Sequence, residues 1–177
     1  DMEAHKTLLN DKTRLVSVVH ISNALGTINP VQDIIAAARA YNSDIKILID
    51  GSQSAVHIPV DVQELDCDFF VFTAHKLYTT TGVGVLYGKY DILDAMPPYR
   101  GGGDMIERVS FEGTTFKPPP ARFEAGTPPI IAVIGLGAAI DYLEMIDTDV
   151  LLAHEREMTR LMTVGLKELG DIEIYAD

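Results

Sequence analysis

Tryptophan is absent from the 177-residue chain, and cysteine occurs once, as Cys67. A single cysteine excludes an internal disulfide and suits a reducing compartment such as the cytoplasm. It also excludes a zinc site built on paired thiolates. The spacing of His5, His20, His57 and His154 matches no zinc motif, so these histidines read as satisfied core or surface residues and no metal is expected. Positive charge is scarce: 14 Lys and Arg stand against 26 Asp and Glu, a formal net charge of −12. Nucleic acid and anionic membrane surfaces are bound through clustered Lys and Arg, so neither is an expected partner, although one anion-binding pocket stays compatible with the balance. Long apolar runs are missing as well. None approaches the ~20 residues that span a bilayer, and residues 1–14 are polar and charged, without the apolar stretch of a secretory signal.

What is present is an ordinary globular composition, 47% hydrophobic and 23% charged, enough for one sizeable core. The chain opens on Asp1 and soon enters RLVSVVHI (14–21), a β-branched run that predicts a buried strand. After the turn-rich NALGTINP, the segment VQDIIAAARAYN repeats Ile34, Ile35, Ala38 and Tyr41 at helical spacing. IKILID (45–50) predicts a second strand ending on a carboxylate. A loop with a short helix near 62–65 follows, then a third strand in CDFFVFTAHK, a TTTG turn and a fourth strand in GVGVLYG. Strand–helix–strand alternation with nearly continuous apolar strands predicts an α/β fold, a three-layer α/β/α arrangement on a mainly parallel sheet. Beyond residue 90, MPPYRGGGDMI and FKPPPARFEAGTPP are rich in Pro and Gly and read as surface or interface loops, with glycines 101–103 as a hinge. A long apolar helix (IIAVIGLGAAIDYLEMI) and an amphipathic one (HEREMTRLMTVGLKELG) close the chain, and LKELGDIEIYAD ends in what reads as a strand. Both ends read as cuts through a larger fold.

In an open α/β sheet, ligands gather at the carboxyl ends of the strands. Three such ends carry polar groups here: Asn23 after the first strand, Asp50-Gly51-Ser52-Gln53 after the second, and Thr73-Ala74-His75-Lys76 after the third. An ammonium at the end of an apolar strand is costly unless its charge or its amine is used. A Schiff-base lysine needs a neutral amine. Pyridoxal phosphate in turn wants an anion at its pyridinium nitrogen, a donor at its phenolate oxygen, and hydroxyls, amides and a cation at its phosphate. Asp50, Gln53, Thr73 with His75, and Lys76 supply that set. Each also has a plainer role: a strand-end Asp is commonly a turn or cap residue, and Gly82-Val83-Gly84 is ordinary turn chemistry without the ending of a P-loop. Cys67, between Asp66 and Asp68, reads as structural, its thiolate disfavoured by the neighbouring carboxylates.

The ordered run DGSQSAVHIPVDVQELDCDFFVFTAHKLY, TGVGVLYG, GGGDMI and RFEAGTPP closely resembles the class V aminotransferase-like family of fold-type I pyridoxal-phosphate enzymes. Within the family, it most resembles the SUF-type cysteine desulfurases and selenocysteine lyases. The resemblance implies that Lys76 bonds to the cofactor's aldehyde and later moves the substrate Cα proton. It implies that Asp50 pairs with the pyridine nitrogen, Gln53 faces the ring oxygen, Thr73 and His75 contact the phosphate, and Asn23 lies near the ring oxygen and the substrate carboxylate. Thr127 would reach the phosphate of a partner subunit, which implies a homodimer. The implied substrate is L-cysteine or selenocysteine, with a sulfur-acceptor protein as a further partner. Other class V enzymes, such as an aminotransferase or a kynureninase-like hydrolase, share the scaffold, and a non-catalytic dimerisation module is the reading from another class. The turn after the lysine departs from the family's usual Leu-Tyr-Gly-Pro-Thr-Gly: here it is Leu77-Tyr78-Thr79-Thr80-Thr81-Gly82. An upstream phosphate loop, a ring-stacking histidine, a downstream arginine and the persulfide-forming cysteine are not found in these residues. The chain is therefore expected to be a piece of the enzyme, inactive alone: residues 1–150 part of the cofactor-binding large domain, 151–177 the start of the small one.

Overall fold

The computed structural model describes residues 1–175. Its elements run α1 (Met2–Leu8), β1 (Leu15–Val19), α2 (Val31–Tyr41), β2 (Lys46–Asp50), α3 (Ser54–His57), α4 (Val62–Leu65), β3 (Phe69–Thr73), a 3₁₀ turn (Ala74–Lys76), β4 (Gly84–Gly88), α5 (Tyr90–Ala95), β5 (Ile106–Val109), β6 (Thr114–Phe116), α6 (Ile130–Glu144) and α7 (Thr148–Glu168). The main sheet has the order β1-β2-β3-β4. β1, β2 and β3 run parallel and β4 returns antiparallel to β3, so the mixed α/β class with a mainly parallel sheet holds.

Burial along β2 alternates: Ile47 and Ile49 are fully buried, whereas Lys46, Leu48 and Asp50 are half-buried. Ile47, Ile49 and Phe70 point to one face. There they meet Val31, Ile35 and Ala38 of α2, Ile45, Cys67 and Leu9, with Val62 and Leu65 of α4 beside them. The opposite face receives little from the described residues. Leu15 and Leu86 stay 52% and 54% exposed on it, and α5 reaches one corner, laying Leu93 against Gly88. Of the three expected layers, the described residues build the sheet and one full helical layer.

One polar residue ties this layer together. Asp68 is buried, and its Oδ2 accepts from the Ile47 amide at 2.7 Å and from Arg39 Nη2 at 2.8 Å. Arg39 also donates to the Ile45 carbonyl at 2.7 Å, so α2, the start of β2 and the start of β3 meet at one carboxylate. Next to it, burial pushes the Cys67 thiol up; Asp68 and Asp66 add to that effect and Lys89 opposes it. The inert cysteine is as expected, but loss of water rather than the flanking carboxylates is the leading cause.

Several elements differ from the sequence reading. α1 and α3 fall in segments read as polar or loop, and α5 in a stretch given no element. α1 is capped by Asp1, whose carboxylate accepts from the Glu3 and Ala4 amides, and it buries none of its residues, so it leaves no apolar period to read. The Pro/Gly-rich region holds the β5–β6 hairpin and the fully buried Met105. Gly102 in that region is a close-packing position rather than a free hinge: a Cβ there would sit 3.2 Å from the Ala125 Cβ. Residues 171–175 form no strand; residues 176 and 177 lie outside the described ones. No helix among the described residues is long and apolar enough to cross a membrane.

Candidate active site

The site is built at the carboxyl ends of β2 and β3. Asp50 closes β2, and its Oδ1 accepts from the Ser52 amide at 2.9 Å, which turns the chain towards α3. Gly51 donates to the Val71 carbonyl at 2.8 Å and its own carbonyl accepts from the Ala55 amide at 2.8 Å. The backbone crosses the Phe70 ring so closely that a Cβ on Gly51 would lie 1.8 Å from Phe70 Cζ. Only glycine permits that approach. Gly51→Ala is therefore expected to destabilise the fold by about 1–3 kcal/mol through overpacking. Urea unfolding checks this, and a second substitution, Phe70→Leu, should recover part of the loss.

Asp50 is in register with Val71. Strand residues alternate between faces, so Asp50, Val71 and Thr73 share the face opposite the core. Beyond Thr73 the chain tightens into the 3₁₀ turn. Thr73 Oγ1 lies 2.8 Å from His75 Nδ1, with His75 exposed and Lys76 half-buried. Lys76 is thus less enclosed than an apolar strand end suggests. Its turn is anchored by Ala74 and Leu77, 0% and 6% exposed, which share a buried apolar cluster with Leu136 of α6. Tyr78, next but one after Lys76, has a φ of 59°, a left-handed conformation uncommon for a side chain of its size.

The other expected residues fall into two clefts. Asn23 and Gln53 line one of about 830 Å³, together with His57, His154, Glu155 and Arg156. Its wall is tied across the sequence by His57 Nδ1 and Glu155 Oε1, 2.9 Å apart, which bridges α3 to α7. A pair separated by 98 residues leaves no local signal. Thr127 lines a different cleft of about 670 Å³ with Gly82, Gly84 and Arg100. Within one chain, Thr127 therefore does not join Asn23 and Gln53. His20 departs from the satisfied-histidine reading: it is buried, its Nδ1 has no hydrogen-bond partner among the described residues, and burial holds its pKa below the usual range. No group of three or more His, Cys, Asp or Glu among the described residues is placed to hold a metal ion.

The family profile described as Aminotransferase class-V matches residues 1–177. The chain belongs to the class V aminotransferase family. Among curated relatives, a cysteine desulfurase of Dickeya dadantii is 49% identical over 176 residues, which is 99% of this chain and 42% of the relative. The crystal structure of the cysteine desulfurase CsdA from Escherichia coli superposes with a TM-score of 0.87 at 38% identity, covering 97% of this chain and 42% of that one. A C-DES variant with glycine covalently linked to its pyridoxal-phosphate cofactor superposes with a TM-score of 0.86 at 27% identity, covering 97% of this chain and 46% of that one. The chain thus spans under half the length of these proteins.

The residues of this class V chain suit pyridoxal phosphate by their chemistry. A carboxylate (Asp50) and a hydroxyl (Thr73) share one sheet face on adjacent strands. An imidazole and an amine follow on the next turn. The Thr73–His75 pair presents two hydrogen-bonding groups at the strand end, of the kind that suit a phosphate.

Proposed function

We propose that these residues form the lysine-bearing part of a pyridoxal-phosphate-dependent cysteine desulfurase, which takes sulfur from L-cysteine and leaves alanine. The observation that carries the reading is Asp50 and Thr73 on one face of adjacent strands, with Lys76 on the turn that follows. The 49% identity to a cysteine desulfurase across 99% of the chain supports this reading over other class V chemistries.

The roles follow from the chemistry of each side chain. Pyridoxal phosphate, when bound, supplies the electron sink for the pair left at the substrate Cα. The Asp50 carboxylate would hold a proton on the ring nitrogen, as an anion beside a titrating base does. Thr73 Oγ1 and His75 would donate to the phosphate, and Gln53 with Asn23 would orient the ring oxygen and the substrate carboxylate. Lys76 would hold the cofactor's aldehyde through its amine, then take up the proton from Cα. The attacking thiol is not Cys67, which is buried with its thiol pushed up. It would have to come from residues beyond these, and a sulfur-acceptor protein would take the product.

Two features support a homodimer. Thr127 stands in a cleft apart from Gln53 and Asn23, as a residue serving a second copy's phosphate would. α6 is apolar on all sides, yet Ile131 and Ile134 are 85% and 68% exposed, and a helix of that kind is normally covered. Residues 151–177, which lie within α7 and the segment after it, would open the small domain, and residues 1–150 would belong to the cofactor-binding large one. A single buried cysteine supports a reducing, cytoplasmic setting.

The test is borohydride reduction of the full-length protein with pyridoxal phosphate, followed by peptide mass spectrometry. A label on Lys76 is expected, and its absence refutes the cofactor role. The 177 residues by themselves are expected to take up the cofactor weakly, without a strong visible absorbance at stoichiometric addition. The sheet face bearing Asp50 and Thr73 is sparsely covered, and each missing charge-assisted hydrogen bond forfeits about 1.5–3 kcal/mol.

A further inference from the structure

We propose that Thr79, seated over Gly135 of α6, is a positioning residue for Lys76. A Cβ built on Gly135 would lie 2.8 Å from Thr79 Oγ1, inside any normal contact. The next residue on the helix, Leu136, is 7% exposed and shares a buried apolar cluster with Ala74 and Leu77, the two residues that bracket His75 and Lys76. One turn of α6 therefore meets the lysine-bearing segment twice: Leu136 in the buried cluster it shares with Ala74 and Leu77, and the notch at Gly135 by receiving Thr79.

The segment between these anchors is under constraint. Tyr78, between Leu77 and Thr79, has a φ of 59°, in the left-handed region that a bulky side chain avoids. Such a conformation persists where its surroundings over-determine it. Here Leu77 is locked in the core on one side and Thr79 is set against a glycine on the other. A threonine has few χ1 positions, so it cannot yield smoothly if the notch is filled. Relief would come through the backbone of residues 77–79, and so would be felt at Lys76. The same helix contains its own control: a Cβ on Gly137 would meet nothing within 4 Å.

Helix propensity and this packing predict opposite signs. Exchanging a helical glycine for alanine normally stabilises a protein. Gly137→Ala is expected to raise Tm or leave it unchanged. Gly135→Ala is expected to lower Tm by about 3 °C and to change, several-fold, the rate at which Lys76 is acetylated by acetic anhydride in the cofactor-free full-length protein. Gly135→Ala combined with Thr79→Ala is expected to recover both quantities, because the new methyl occupies the space the threonine leaves.

The consequence for the cofactor rests on the reading of Lys76 given above; the packing and the reactivity do not. Borohydride labelling with pyridoxal phosphate, run on the same variants, separates the two. If wild-type Lys76 takes no label while the melting and acetylation results hold, the cofactor reading falls and the positioning role stands. If Gly135→Ala melts at or above the wild-type temperature, or the double variant is no better than Gly135→Ala alone in Tm and Lys76 reactivity, the positioning role is overturned.

Discussion

Lys76→Ala in the full-length protein is expected to lower kcat for sulfur release from L-cysteine by about 10³-fold or more while leaving Tm nearly unchanged. The size follows from what the amine would do. Proton transfer by a positioned group contributes about 10²–10⁴-fold, and the same nitrogen is the attachment point for the cofactor. The small effect on stability follows from where the residue sits. Lys76 is half-buried at the end of the 3₁₀ turn, and the turn is anchored by its neighbours Ala74 and Leu77 rather than by the lysine. Activity within about tenfold of wild type, well short of a proton-transfer loss, would show that another group moves the proton. Added small amines should restore part of the rate, since they can carry a proton in the space the side chain vacates.

The largest structural effect is expected at Asp68, far from that chemistry. Asp68→Ala leaves the Ile47 amide and the Arg39 guanidinium without the acceptor they share. Breaking a buried pair from one side costs about 3–5 kcal/mol, because the remaining charge stays uncompensated. Arg39 keeps 23% of its side chain exposed and still donates to the Ile45 carbonyl, so the lower end, about 3 kcal/mol, is expected. In a protein of this size that corresponds to a fall in Tm of about 10 °C. Asp68→Asn should cost less, since an amide oxygen can still accept from Ile47. Urea unfolding of the two variants measures both, and a loss under about 1 kcal/mol for Asp68→Ala would mean the carboxylate behaves as a surface pair.

The elements that could be read in advance share one property. α2 shows Ile34, Ile35 and Ala38 on one side, and β2 and β3 carry dense β-branched and aromatic residues. Their burial is written into the order of their own residues. α1 is held by an Asp cap and buries nothing, and α3 is four residues long. Neither could carry a period. The β5–β6 hairpin lies among prolines and glycines that mark loops as readily as tight turns.

The candidate site divides in the same way. The residue types at positions 50, 53, 73, 75 and 76, and their placement at strand ends, are properties of the linear chain, as is the family to which it belongs. The single thiol and the acidic balance narrow its partners on the same terms. Which groups meet was decided by tertiary structure. The parallel register sets Asp50 beside Val71 and so on the face of Thr73. The clefts part Thr127 from Gln53, His57 finds Glu155 on α7, and Thr79 comes to rest on Gly135. The reason is physical: local order fixes the identity and period of side chains, whereas contacts between residues remote in sequence depend on how whole faces pack, and no short stretch contains that information.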